Sequence, residues 1–475
     1  MECKNLVGGR FVGAEEPGAQ RMTAIAPFDG AALGTSYEVG WPTMERTLDA
    51  ASGAFPAFRS SPREERQALV VRIAASVRER AEELAQLMAV EVGKPIAWAR
   101  AEVTRLAVTF ELAGELLDEP ARTELSLQRD ARGADYRCFV ERVGIGPVLA
   151  IVPYNWPYNL AAHKLAPALA AGNPVVLKPS PQAALSTLTL AELIHAAGAP
   201  PGVIGAVCCG PEVAEAAARD PRIAMVSFTG SERVGWHIKE LVTNKPVVLE
   251  LGGDASVLVF ADADLDLAAA RACLGGYGYA GQVCISVQHV RAHADVYDAV
   301  RERLTRMTLA TAFGDPLLPA TVCGPLISSH AADRVMAYID EARRGGGKVL
   351  AGGEREGNVV LPTLLEDVPG SCKLAQEEVF GPVMTLSRFG SAEEAFAAVN
   401  RSRFGIQCGI FTHDEALIAA AFRELDVGGV VVNDFPTLRF DVMPYGGVKR
   451  SGVWREGLRY AYDEMTLPKV LLGRR

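Results

Sequence analysis

Cys284 lies in the segment Gly281-Gln282-Val283-Cys284-Ile285-Ser286, and well upstream of it Glu250 opens the segment Glu250-Leu251-Gly252-Gly253. A thiol in a glycine-bounded loop can approach a substrate closely, and a carboxylate before a glycine pair can be aimed at it. Nucleophile and base are the two groups needed to take an aldehyde to an acid. One loop cysteine among nine proves little by itself. The neighbouring strings carry more weight: Pro153-Tyr154-Asn155-Trp156-Pro157, Phe228-Thr229-Gly230-Ser231 and Glu377-Glu378-Val379-Phe380-Gly381-Pro382. Each places a polar or charged side chain beside aromatic residues or a tight turn.

These residues need a scaffold, and the chain supplies an alternating one. Short apolar runs at Val148–Val152, Pro174–Leu177, Val203–Val207 and Met225–Phe228 are separated by helical stretches such as Ser186–Ala197 and Glu212–Arg219. Buried strands alternating with helices predict a parallel, doubly wound sheet. The alternation resumes after Val257 and around Val430-Val431-Val432, which predicts a second α/β unit. Ser61-Pro62-Arg63-Glu64 reads as a capped helix start, followed by Leu69, Ile73, Val77, Leu84 and Leu87 at helical spacing as far as Gly93. A second helix is expected from Ile96 to Leu117. The polar, alternating stretch Thr123–Glu141 reads as a β-hairpin.

A chain of 475 residues is too long for one core. The net charge of −9 and the absence of basic runs argue against a nucleic-acid partner. The longest uncharged stretch, Val143–Ala162, contains three prolines and two asparagines and is rejected as a membrane span. No secretory signal is visible after Met1, so a cytoplasmic location is expected. The nine cysteines show no Cys-x-x-Cys spacing, and with seven scattered histidines no metal site is expected. Cys208-Cys209 read as small core residues.

No G-x-G-x-x-G follows a predicted strand. Gly230-Ser231-Glu232-Arg233-Val234-Gly235 stands at a strand–helix turn instead, where backbone N–H groups and a helix N-terminus suit a phosphate. Lys178-Pro179-Ser180 ends another strand. Taken alone, Asn155 could be a turn former, Glu250 an ion-paired carboxylate, and Lys178 and Glu378 solvated charges.

Taken in order, the strings resemble the aldehyde dehydrogenase superfamily from about Leu6 to about Val470. The resemblance implies an α/β fold with a Rossmann-like cofactor domain (residues 1–121 and 145–250) and an α/β catalytic domain (251–445). It also implies a small β oligomerisation hairpin, 122–144 with 463–475, and hence a homodimer or homotetramer. The implied catalytic residues are Cys284, Glu250, Asn155 and Lys178. The implied cofactor contacts are Lys178, Ser180, Gly230, Ser231, Glu378, Phe380 and Trp156. In this scheme Cys284 adds to the aldehyde, hydride leaves for NAD or NADP, and Glu250 activates the water that hydrolyses the thioester. Many members carry Glu directly after Lys-Pro-Ser; Pro181 stands there in this chain, so discrimination against NADP is missing and NADP or dual use is expected.

Substrate contacts are expected from Arg105, Trp156, His163, Val283 and Arg439. Arg105 and Arg439 are placed similarly to arginines that bind the anionic head in members acting on phosphonoacetaldehyde, and a guanidinium fork suits such a group. A small phosphonate-, phosphate- or carboxylate-bearing aldehyde is expected. Trp156 would equally suit a neutral or aromatic aldehyde. Two other functions remain open at this point. Transfer of the acyl group to coenzyme A is disfavoured by Glu250. A retired binding protein is disfavoured by the joint presence of Cys284, Glu250, Asn155 and Lys178. Trp454, where glycine is more usual, is left without a role.

Overall fold

The computed structural model describes residues 1–474. Two large sheets supply the residues of the site. The first runs in the order Arg10–Val12, Asn5–Val7, Ile204–Ala206, Val175–Lys178, Val148–Ile151, Met225–Thr229, Val247–Glu250, Gly452–Val453. Its five central strands are parallel. Their near-unbroken burial matches the apolar runs of the sequence, because helices cover both faces. Chain order reverses at Val148–Ile151: the next two strands add on one side, and Met225–Thr229 and Val247–Glu250 on the other. Such a switch opens a crevice at the carboxyl ends of the strands.

The second sheet has the order Lys348–Ala351, Thr363–Glu366, Val383–Phe389, His289–His293, Ser256–Val259, Gln407–Phe411, Gly429–Val432, all parallel except the first. Cys284 and the Glu378–Phe380 segment precede strands of this sheet. Glu250 and Asn155 lie at or just past strand ends of the first. The polar stretch around Thr123 does form antiparallel strands, Arg122–Leu125 with Tyr136–Gly144, and Thr466–Arg474 completes a three-stranded sheet. Among the described residues no helix is long and apolar enough to cross a membrane.

A helix does begin in the Ser61–Glu64 segment, at Arg63, but Ser61 does not cap it. Ser61 donates its hydroxyl back to the Phe58 carbonyl at 2.7 Å and so closes the preceding helix. The helical stretch that follows is two helices, Arg63–Glu79 and Ala81–Val92, meeting at Arg80. Beyond them Ile96–Glu115 packs on the helix Asn159–Ala171.

A buried ion pair locks this packing. Lys94 and Glu102 are fully buried partners, and the Nζ of Lys94 lies 3.7 Å from the Trp156 ring centre and 4.5 Å from that of Tyr279. The other Glu102 oxygen accepts the Tyr158 and Asn159 backbone N–H groups at 2.9 and 3.0 Å. Glu102→Ala would strand a buried ammonium and two N–H groups together. We expect a loss of about 3–5 kcal/mol in chemical denaturation, and an unchanged midpoint would contradict the assignment.

Candidate active site

The two sheets bring most of the singled-out residues to one cavity of about 300 Å³. Its walls include Asn155, Trp156, Ser231, Glu250, Val283, Cys284, Glu378 and Phe380, together with Arg105, Gly230 and Arg439. Neighbouring strands account for part of this convergence. Thr229 and Glu250 are paired in register at the ends of adjacent parallel strands, and the Thr229 hydroxyl donates to Glu250 Oε2 at 3.2 Å. Gly230 donates its backbone N–H to the Glu250 carbonyl at 3.1 Å.

Cys284 Sγ lies 3.7 Å from Glu250 Oε1 and 3.1 Å from the Tyr445 hydroxyl. Burial and the nearby Glu250 push the Cys284 thiol well up from its usual range. It therefore rests protonated, with a carboxylate in reach to take its proton. Burial first, then the charge of Glu456, hold Glu250 above the ordinary carboxylate range. Glu456 is driven the other way, its burial outweighed by Lys164 at 2.9 Å and Arg439 at 3.2 Å. Arg439 Nη1 also stands 3.9 Å from Glu250 and stacks 3.8 Å from the centre of the Tyr445 ring. Two buried carboxylates with their affinities for protons pushed apart make one a base and the other a fixed charge.

Asn155 donates from Nδ2 to the Gln282 carbonyl at 2.9 Å, which ties the Pro153–Pro157 loop to the Cys284 loop. An amide nitrogen carries two donors, so one remains for a substrate oxygen. Tyr154 reinforces the link through Gln282 Oε1 at 3.2 Å and packs edge-on against Phe380.

On the substrate side, Arg105 is ion-paired with Asp441 and lies 5.7 Å from the centre of the Trp156 ring. His163 does not line the cavity. It is buried behind it, where burial and Arg439 hold its ring down at about 4. As a neutral imidazole it donates from Nε2 to Asp441 at 2.8 Å, a role in orienting the carboxylate that holds Arg105.

Lys178 also stands apart from Cys284, at the end of the strand beside Ile151. Ser180 accepts the Gln182 N–H at 3.4 Å and starts the turn Pro181–Ala183. Trp454 is 57% exposed, with a left-handed φ of +71°. It lies outside the cavity, and nothing in the structure explains its side chain.

The crevice fits a nicotinamide dinucleotide. Glu378 is held in the wall by the Gly253 N–H at 2.9 Å, and a side chain on Gly252 would collide with its carboxylate at 2.5 Å. The helix Glu232–Leu241 points its N-terminus, through Gly230 and Ser231, to the same crevice. Trp156 Nε1 is a buried donor with no acceptor among the described residues.

Tyr445, Gln282, Thr229, Lys164, Glu456 and Asp441 were not singled out by the sequence reading. Gln282 and Thr229 lie inside the strings Gly281–Ser286 and Phe228–Ser231, which is the one signal the sequence offers for them.

The model of the aldehyde dehydrogenase family matches residues 13–471. Aspartate-semialdehyde dehydrogenase 1 of Pseudomonas canavaninivorans is 37% identical, over 95% of this chain and 96% of that protein. The 3-sulfolactaldehyde dehydrogenase of Priestia aryabhattai is 38% identical, over 98% of this chain and 97% of its own length. The crystal structure of NADP-dependent glyceraldehyde-3-phosphate dehydrogenase from Bacillus halodurans C-125, complexed with NADP, superposes with a TM-score of 0.97 at 33% identity, covering 100% of this chain and 99% of that one. With its thiol, carboxylates and crevice disposed as described, this chain belongs to the aldehyde dehydrogenase family and uses NAD or NADP.

Proposed function

We propose that the chain oxidises a small anionic aldehyde to its carboxylic acid through a thioester on Cys284. Glu250 takes the thiol proton, and the thiolate adds to the carbonyl carbon. The second N–H of the Asn155 amide and the Cys284 backbone N–H hold the developing oxyanion, fixed donors that stabilise charge as it forms. The cofactor, when bound, supplies the hydride acceptor that makes this an oxidation. Glu378 and Phe380 shape the wall against which it lies. Glu250, having passed that first proton to solvent, then draws a proton from water, whose oxygen attacks the thioester. The acid leaves, and Glu250 gives the proton to the departing thiolate.

The anionic head rests on one observation. The cavity has Arg105 and Arg439 in its wall, and the buried donors Arg439 Nε and Trp156 Nε1 have no acceptor among the described residues. A buried donor without a partner is unfavourable, and a sulfonate, carboxylate or phosphate oxygen would satisfy it. The substrates named for the three relatives carry a carboxylate, a sulfonate and a phosphate respectively. Both arginines also have carboxylate partners, Asp441 and Glu456, so the clamp would be a shared one.

Arg105→Met is expected to lower kcat/KM for glyceraldehyde 3-phosphate or succinate semialdehyde by about 10- to 100-fold, mostly through KM. Lactaldehyde and benzaldehyde should be affected little. An equal loss with neutral aldehydes would return Arg105 to a structural role and leave Trp156 as the specificity wall.

The chain is further proposed to self-associate through its three-stranded sheet. The strand Thr466–Arg474 exposes Leu467, Val470, Leu471 and Leu472, an apolar row on a sheet edge that a second copy would cover. Light scattering is expected to give a dimer or tetramer. Replacing Val470 and Leu472 by lysine should shift it to monomer, and an unchanged mass would refute this surface.

A further inference from the structure

A second and larger cavity, about 710 Å³, lies on the far side of the Cys284 loop. Cys284 is the only residue it shares with the active-site cavity. It runs across one face of the second sheet and opens between the helix Ala392–Asn400 and the loop around Val368.

That face has an unusual composition. A parallel sheet covered on both sides is normally apolar throughout. Here Ser256, His289, Arg291, Thr385 and Ser387 sit on adjacent strands in direct register, giving a polar floor. His289 and Thr385 satisfy one another at 2.8 Å.

Arg291 is different. Its one hydrogen bond goes to the Ser387 hydroxyl at 3.4 Å, and its Nε is buried without an acceptor. It makes no ion pair among the described residues, and Arg401, also unpaired, is close enough to oppose its charge. Asp254 is the carboxylate facing them, and it already accepts the Ser402 hydroxyl at 2.6 Å. A part-buried guanidinium with an orphaned Nε, facing one carboxylate that is already hydrogen-bonded elsewhere and beside a second cation, would be stabilised by a further anion. Arg291 and Arg401 both line this cavity, and a guanidinium is suited to pairing with phosphate oxygens.

We propose that this cavity is a second anion site, in which Arg291 and Arg401 hold the phosphate group of a small metabolite. The occupant would lie against the back of the catalytic loop. Contact there is tight: a Cβ on Gly253 would meet the Cys284 carbonyl at 2.3 Å. The site does not depend on the substrate reading above, since none of its cations lines the active-site cavity.

The test is a thermal titration with inorganic phosphate, run with saturating NADP so that the cofactor's own phosphate contacts are filled. Wild type is expected to gain about 1–2 °C in Tm once phosphate is about tenfold above its Kd. The gain should vanish in Arg401→Met, an exposed position where folding is not at risk, and in Arg291→Met. It should persist in Arg105→Met. No gain in wild type, or equal gains in wild type and both cavity variants, would overturn the proposal. So would a gain lost only in Arg105→Met, which would place the phosphate in the active site instead.

Discussion

Cys284→Ala is expected to abolish aldehyde oxidation, with kcat falling about 10⁴-fold or more, while Tm and cofactor affinity stay near wild type. The small stability effect follows from position: the side chain is only partly buried at the cavity wall, so its loss leaves no closed void. The large catalytic effect follows from uniqueness. The other eight cysteines are all buried, and burial pushes Cys208 and Cys273 up to about 12. None can stand in as a nucleophile. Steady-state rates, with thermal melts in the presence of NADP as a control, decide the matter. Substantial residual turnover would remove Cys284 from the chemistry.

Glu250→Gln should have the next largest effect, about 10²- to 10⁴-fold in kcat. The glutamine can take a proton neither from the thiol nor from water. The thiol can still lose its proton to solvent, whereas water attacking the thioester has no other base. Deacylation therefore becomes the slow step, and a slowed build-up of reduced cofactor near one equivalent per chain should precede slow turnover. The pH dependence follows from the same carboxylate. Glu250 acts when deprotonated, and burial together with Glu456 raises the pH at which it loses its proton. Activity should therefore climb with pH along a limb above the ordinary carboxylate range. Glu456→Gln removes the neighbouring negative charge and leaves Lys164 and Arg439 without their carboxylate. Both changes favour ionised Glu250, so the limb should move to lower pH. A shift to higher pH, or none, would show that Glu456 does not set the state of Glu250.

The sequence was most readable where period and punctuation agreed. The apolar runs at Val148–Val152 and Met225–Phe228 were strands because nothing but a doubly covered sheet buries such runs at that spacing. The groups around Cys284 were readable as strings, since Asn155, Glu250 and Glu378 each stand at a turn leading into or out of a strand. Partnerships across long separations were not. Glu456 reaches Lys164 over 292 positions, and Asp441 reaches Arg105 over 336. No local pattern encodes such a pair. The placing of His163 shows the limit: it is expected to touch the substrate, whereas packing turns it to Asp441 behind the cavity. Ser61 erred for a local reason, because two helices abut there and its hydroxyl serves the earlier one. The polar floor under Arg291 was equally hidden, since only the register of three strands assembles it.

In the proposed mechanism one thiol carries the acyl group and one carboxylate releases it. Intact-mass and peptide analysis of Glu250→Gln, quenched after mixing with succinate semialdehyde and cofactor, tests this directly. A single acyl adduct per chain is expected, on the peptide bearing Cys284, decaying far more slowly than in wild type. An adduct on another residue, or normal turnover with no adduct at any time, would contradict it.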